Sequence, residues 1–552
     1  MKKNNIIKTG IVSIALIIAT GCTDHFDQLN TPTNLVTDDV VDVDLILTRV
    51  QAYAFIRDQT GGVVNGTSKG GLYAGVTMSE SGGAFNIDPQ IDMWTWLYTN
   101  YARNLSAIMR LTQDDPELVN KYAIARIMKV WAFARATNIY GDIPYFETAL
   151  PLDQVVYTPQ YDTQESIYND FFTELKESVT LLDPSKESYG AADLLFSGDV
   201  TMWAKFANSL RLRLALNLRY VDSQLASDQM SDLADSDLII SNDESAYTLT
   251  FTDVLDNHNP NYLTLLQGGS STYKPLLSKT MIDLWQDNGD PRLMLYADTA
   301  LATFQSFGYR GRPLLGDCPQ IQQNPYTNES VSRWSVHMFA PVWPMPVLTA
   351  AEVNFALAEA ALYSLRGSPA DAQAYYQAGI EAAMNWSRDW SDLTSSQLTE
   401  LFEIYDPSMS SAEVTSYNDS HALTQADIDD FINTSPVVTL TGTTEEMLEM
   451  IINQKMLSYF PTMLHEASVD FKRTGYPRVL VGDDQGDLQG VPPRRYMYPV
   501  SEQDLNSSSY SEAVQRIGGQ DDVRVNNWWD ANPSGPHPHP GTVETRDTPW
   551  IN

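Results

Sequence analysis

The 552-residue chain is 43% hydrophobic and 11% aromatic, enough apolar surface for a large core, and its length allows roughly two to four domains. Its 35 basic and 70 acidic residues leave a net charge of −35. That charge repels phosphate backbones and anionic lipid headgroups alike, which excludes nucleic-acid binding as a role. Two cysteines, Cys22 and Cys318, rule out a disulfide framework.

The chain opens with Lys2, Lys3 and Lys8, followed by an apolar run from Ile11 to Ala19. That run falls within the roughly 7 to 15 residues of a signal-peptide core and short of the roughly 20 needed to span a bilayer. Ala19-Thr20-Gly21-Cys22 resembles a bacterial lipobox, with Ala19 where Leu is usual. The expectation is a signal peptide over residues 1–21, acylation of the Cys22 thiol, a lipidated tether over 22–42 and a single domain over 43–552. Each buried methylene contributes about 0.8 kcal/mol, so two or three acyl chains would hold the body at a membrane while leaving it in water. Cys318 reads as a small buried hydrophobe.

Helical periodicity dominates the body. Glu117 to Ile139 is apolar nearly all round and stops at Gly141, followed by Pro144, so it is predicted to be a helix enclosed by neighbours. A second helix is capped by Thr163 and carries Ile167, Phe171, Leu175, Val179 and Leu182 on one stripe; a third follows Asp199 as N-cap. Residues 348–386 read as an antiparallel helical hairpin turning at Gly367-Ser368-Pro369. Small residues at Ala356, Ala360, Ala374 and Ala378 are placed where the two helices would cross. The pattern is like that of tetratricopeptide units. Between these blocks, Gly61–Asp92, Tyr296–Pro346, Asp406–Thr444 and Gly482–Pro493 read as long irregular stretches, which usually carry function. Strand signal is confined to short runs such as "AYTLTF" at 246–251. The fold class is mainly α with large loop insertions.

Catalytic motifs are weak. "GTSKG" at 66–70 satisfies the nucleophile-elbow pattern, but a strand does not precede Ser68 and another glycine follows. "STYK" at 271–274 fits S-x-x-K, yet Lys274 precedes Pro275, which disfavours the helical turn that would bring it to Ser271. Zinc spacing is missing among the seven histidines, and "HPHP" at 537–540 reads as an extended tail. "DNGDPRL" at 287–293 reads as a turn after a helix. No catalytic residue, metal or cofactor is assigned.

Taken together, "NIYGDIPYFETA", "PVWPMPVLTAAEVNFALAEAAL", "HEASVDFKRTGYPRVL", "YMYPVSEQDLNSSSYSEAV" and "NNWWD", with the helix that follows the first, resemble in order the signatures of the SusD/RagB-like outer-membrane lipoproteins, in their SusD-like branch. The post-cysteine "DHFDQLNTPTN" is similar to that family's tether, with Thr31 in place of an acidic residue. The resemblance implies an α-superhelix of four tetratricopeptide-like helix pairs supporting a loop-rich half. It also implies outer-membrane, surface-exposed location through the lipid anchor, glycan capture, and partnership with a SusC-like TonB-dependent transporter. A peptide- or other nutrient-binding cap is the alternative within that role, and a surface hydrolase the alternative outside it.

For a glycan, aromatic rings in loops matter most, because a flat ring packs against the apolar face of a sugar while polar groups take its hydroxyls. Trp131 and Trp203 fall inside helices and Trp528 and Trp529 in a signature, so all four read as structural. The ligand-binding candidates are Trp334 in "NESVSRWSVHMF", Tyr309 and Arg310 in "FGYRGRP", and Trp94 just before "YTNYARN".

Overall fold

The computed structural model describes residues 41–57, 77–78, 92–148, 150, 154–251, 257–262, 275–300, 308–312, 330–479 and 492–532. Cys22, Ser68, Ser271, Lys274, Cys318 and the 537–540 tail lie outside the described residues.

The helix over Val43–Gln51, α1, carries Gln51 with no exposed surface. Its amide donates to Asp193 Oδ1 at 2.8 Å and accepts from the Leu194 backbone at 2.7 Å. Asp193 also receives the Trp203 indole N–H at 2.8 Å, so one carboxylate joins α1 to the start of a helix 150 residues later in the chain.

Four helix pairs follow among the described residues. The first is α2 (Arg103–Thr112) with α3 (Val119–Tyr140), and the second is α4 (Gln164–Leu181) with α5 (Val200–Asn217). The cap signals act as expected. Thr163 accepts from the Ser166 backbone at 3.3 Å, Asp199 Oδ1 from Thr201 and Met202, and Gly141 ends α3 at φ +83°. Nearly every residue of α3 from Asn120 to Tyr140 is buried, as an all-round apolar helix requires.

After a helix over Lys279–Asp287, α6, comes the third pair, α7 (Ala350–Leu362) and α8 (Ala372–Ser395). It is the predicted hairpin, but its crossing point differs from the prediction. Ala356 and Ala360 are buried, whereas Ala374 is exposed and Ala378 half-buried. The close approach is at Gly379, where an added Cβ would sit 2.8 Å from the Phe355 ring. The fourth pair is α9 (Thr444–Tyr459) with α10 (Leu464–Thr474), and α9 packs on α7.

A second difference concerns Asp406–Thr444, expected to be irregular. It contains helices Ser411–Ser420 and Gln425–Thr434, each opened by a reciprocal capping box, Ser410 with Glu413 and Thr424 with Asp427. These polar helices bury little beyond Val414, Ile428 and Phe431, so their apolar stripes are too thin to stand out in sequence.

Strands are short. β1 (Thr77–Met78), β3 (Leu276–Leu277), β5 (Arg333–Trp334) and β4 (Ala297–Asp298) form an antiparallel sheet in that spatial order. The predicted strand at "AYTLTF" is β2 (Ala246–Leu249), paired antiparallel with β6 (Pro344–Leu348).

Candidate functional site

The small sheet stands on an aromatic floor. Phe460 receives Trp334, Trp285 and Tyr296 at ring-centroid distances of 5.3, 5.4 and 5.2 Å, and Tyr296 continues to Trp390 at 5.5 Å. Trp334 is therefore part of the core, 1% exposed, and offers no open ring face to a sugar. This corrects the expectation that its polar neighbours place it at the surface: Ser332, Arg333 and Ser335 are themselves buried, the Ser335 hydroxyl donating to the Leu295 carbonyl at 2.6 Å, so polar residues here are partnered inside the protein.

Trp94 is also packed. It lies within the helix Asp92–Trp96, 7% exposed, with Tyr98 and Tyr140 at 5.1 and 5.2 Å and Tyr161 and Tyr498 near 6 Å. The structural reading holds for Trp131, Trp203 and Trp529, each buried, and Trp528 is half-buried against Tyr168.

Tyr309 and Arg310 occupy a different position. Both are half-buried, on a segment laid along the sheet. The Arg310 backbone accepts from Ser332 N at 2.8 Å, and its own N–H donates to the Ser332 hydroxyl at 3.0 Å. Arg312 bridges to the end of β3 and the start of α6, donating to Leu277 O at 2.9 Å and accepting from Lys279 N at 2.7 Å. Gly311 makes this approach possible, because a Cβ there would lie 2.3 Å from the Ser278 carbonyl oxygen. Glycine is thus what holds the Tyr309–Arg310 pair at the rim.

Polar groups surround this rim. The Arg310 guanidinium reaches the Ser330 hydroxyl at 3.4 Å. Asp298 on β4 accepts from the Tyr417 hydroxyl at 2.7 Å and lies 3.1 Å from His421 Nε2. Burial first, and then the charge of Asp298, push the Tyr309 phenol above its usual value, so it stays a neutral donor and acceptor. A phenol ring, a guanidinium and a carboxylate at one edge suit a polyhydroxylated ligand, while the buried Ser330 and Ser332 hydroxyls accept from Arg310 and hold it in place. Asp298, Tyr417 and His421 escaped sequence reading, since 119 residues separate Asp298 from Tyr417.

A separate cleft of about 540 Å³ opens between α6 and α9, lined by Asp283, Asp287, Glu446, Glu449, Asn453 and Arg478 among others. Arg478 is held by Glu449 through bonds of 2.6 and 2.7 Å. Among the described residues no cluster of His, Cys, Asp and Glu has the arrangement of a metal site. No helix among them is long and apolar enough to cross a membrane.

The family model of SusD-like proteins, described as starch-binding and associating with the outer membrane, matches residues 67–499. The chain belongs to the SusD-like family. Solved structures agree with the family fold. A chitin-binding protein aligns at 27% identity and a TM-score of 0.72, covering 89% of this chain and 100% of its own. A SusD homolog from Bacteroides fragilis NCTC 9343 aligns at 22% identity and a TM-score of 0.71, with the same coverage. A chitin-binding SusD homolog from Flavobacterium johnsoniae aligns at 23% and 0.65, covering 89% of this chain and 99% of its own. No curated protein sequence matches the chain. The SusD-like assignment thus agrees with the helix pairs and with the order of signatures, of which "HEASVDFKRT" forms α10 and is buried throughout.

Proposed function

We propose that this SusD-like chain is a surface glycan-binding lipoprotein, anchored through acylated Cys22, that captures an oligosaccharide and hands it to a SusC-like TonB-dependent transporter. The observation that carries this reading is the match over residues 67–499 to a family described as starch-binding and associating with the outer membrane. The full-length alignment on a chitin-binding protein at 27% identity supports it. In this reading Tyr309 packs against a sugar ring while the Arg310 guanidinium takes sugar oxygens, and no bond of the ligand is broken.

The test is a binding screen of the purified protein across neutral polysaccharides, amino-sugar polymers and peptides, run beside a hydrolysis assay on the same panel. Binding to one glycan class without release of shorter products is the expected result. Exclusive binding to peptides, or hydrolysis of any glycan, overturns it. For the transporter, extraction in mild detergent at native expression should recover the chain with a large β-barrel protein, and recovery only as a free monomer would refute the hand-off.

A further inference from the structure

The cleft of about 540 Å³ between α6 and α9 is walled by two helix stripes. From α6 come Thr280, Asp283, Leu284 and Asp287; from α9 come Glu446, Glu449, Met450 and Asn453. Each set is spaced i, i+3, i+4, i+7, the stripe that a helix ordinarily buries against its neighbour and fills with apolar residues. Here Leu284 and Met450 are the apolar members, and four of the eight are carboxylates. Like charges on facing stripes oppose closure. The space left between them falls within the roughly 300–1,000 Å³ of small-ligand sites.

Positive charge at the cleft does not match the negative. Arg478, whose charge also reaches Glu446, is held by Glu449 at 2.6 and 2.7 Å. Lys279 holds Asp283 at 3.0 Å. Asp287 and Glu446 form no ion pair among the described residues. Glu446 Oε2 caps α9 by accepting from Thr443 at 2.7 and 2.9 Å, which leaves its charge in place. Among the described residues at the cleft, four carboxylates thus share two cations. Burial first, and then the negative charge of Asp287, push the Asp283 carboxyl up to about 6 against the pull of Lys279.

Thr280 adds a second, independent sign of an occupant. It lines the cleft, is 4% exposed, and its hydroxyl has no hydrogen-bond partner among the described residues. Buried hydroxyls are ordinarily partnered, so a group inside the cleft is what can complete it. The occupant is organic, because no group of His, Cys, Asp and Glu among the described residues has the arrangement of a metal site. No aromatic ring is among the lining residues, so a neutral sugar finds no flat face to pack against. Thr280, Thr441 and Asn453 alternate with the carboxylates along the walls. That mixture suits a chain bearing an amine and hydroxyls on each unit better than a lysine side chain, which brings an amine on a methylene stem.

We propose that this cleft binds an amino-sugar oligosaccharide, its protonated amines set between Asp283 and Asp287 on one wall and Glu446 and Glu449 on the other, its hydroxyls against Thr280 and Asn453. The inference rests on the glycan-binding reading and adds to it a second subsite. The rim at Tyr309 and Arg310 reads a sugar by its ring, the cleft by its charge.

Calorimetric titration of the purified full chain with a glucosamine tetramer, its fully N-acetylated counterpart and tetralysine tests it. The glucosamine tetramer should bind, more weakly as salt is raised, and the double substitution Asp283→Asn with Asp287→Asn should weaken it by about tenfold. Failure of the glucosamine tetramer to bind, while another glycan does, overturns this inference and leaves the glycan-binding reading standing; failure of every glycan overturns both. Equal affinity for the N-acetylated tetramer overturns it, because charge is then not read. Tetralysine binding as tightly as the glucosamine tetramer, with the same loss on substitution, overturns it in favour of a basic peptide. An affinity for the glucosamine tetramer that the double substitution leaves unchanged also overturns it. Should that variant fail to fold, Asp287→Asn alone, at an exposed position, repeats the comparison with a loss of about threefold expected.

Discussion

Arg473 and Glu359, 114 residues apart, form an ion pair with neither side chain exposed, Nη2 lying 2.8 Å from Oε2. The pair ties α10 to α7, and each partner is shared: Arg473 with Asp470 at 2.6 Å, Glu359 with Arg219 at 3.1 Å. Removing one member strands the other in the core. Arg473→Met should therefore lower unfolding free energy by about 3–5 kcal/mol in urea titration, and a loss below about 1 kcal/mol would show the network to be dispensable.

The same network sets an acid limit. Burial alone would raise the carboxyls of Asp470 and Glu359, but Lys455 and Arg473 outweigh it at the first, Arg473 and Arg219 at the second, and both end below their ordinary values. Groups depressed in the folded state bind fewer protons there than in the unfolded chain. Their stabilisation is complete above the unfolded values near pH 4 and is lost as pH falls through the folded ones. Glu359→Gln should make the acid limb of the stability–pH curve shallower below about pH 4, while costing stability at pH 7.

Asp283, facing the cleft between α6 and α9, has the opposite sign. Burial pushes its carboxyl up to about 6 despite Lys279 at 3.0 Å. The folded state then holds a proton that the unfolded chain has released, so this contribution to stability declines as pH rises from about 4 to 6. Asp283→Asn should flatten the curve in that window and raise stability at pH 7 by about 1 kcal/mol. An unchanged slope would show that Lys279 fully offsets the burial.

Gly379 is the contact point of the α7–α8 hairpin. Gly379→Ala should destabilise by about 1–3 kcal/mol through overpacking against Phe355, and Phe355→Leu in the same chain should recover part of that loss. Full additivity in the double-mutant cycle would mean that the two residues do not meet.

Trp334 and Tyr309 separate core from rim. Trp334→Ala should cost about 3–5 kcal/mol of stability through the cavity it leaves. Tyr309→Ala should leave Tm nearly unchanged and weaken glycan binding by roughly 1–3 kcal/mol in calorimetry. Normal binding by Tyr309→Ala would remove Tyr309 from the site.

Cys22→Ala tests the anchor. In cells lacking the transporter, the variant should leave the membrane fraction and take no label from a fatty-acid probe. Retention equal to that of the unaltered protein would exclude acylation as the means of attachment.

Local signals alone marked α3, α4, α5 and the α7–α8 hairpin, though not its crossing point, the α9–α10 pair or the helices within 406–444. Thr163, Asp199 and Gly141 mark helix ends through bonds to residues no more than four positions away, and all-round apolarity in α3 announces burial without naming a partner. These cues work because capping and periodicity are short-range. Tertiary structure alone decided which aromatic rings are open. Trp334 sits between polar neighbours in sequence, yet Phe460, 126 positions away, covers it. Glycine at 311 carries no mark of its role until the Ser278 carbonyl is brought against it. The rim with Asp298, Tyr417 and His421 and the Arg473–Glu359 pair both depend on side chains from distant elements converging. Burial and charge pairing are properties of that convergence, and residue type and spacing do not encode them locally.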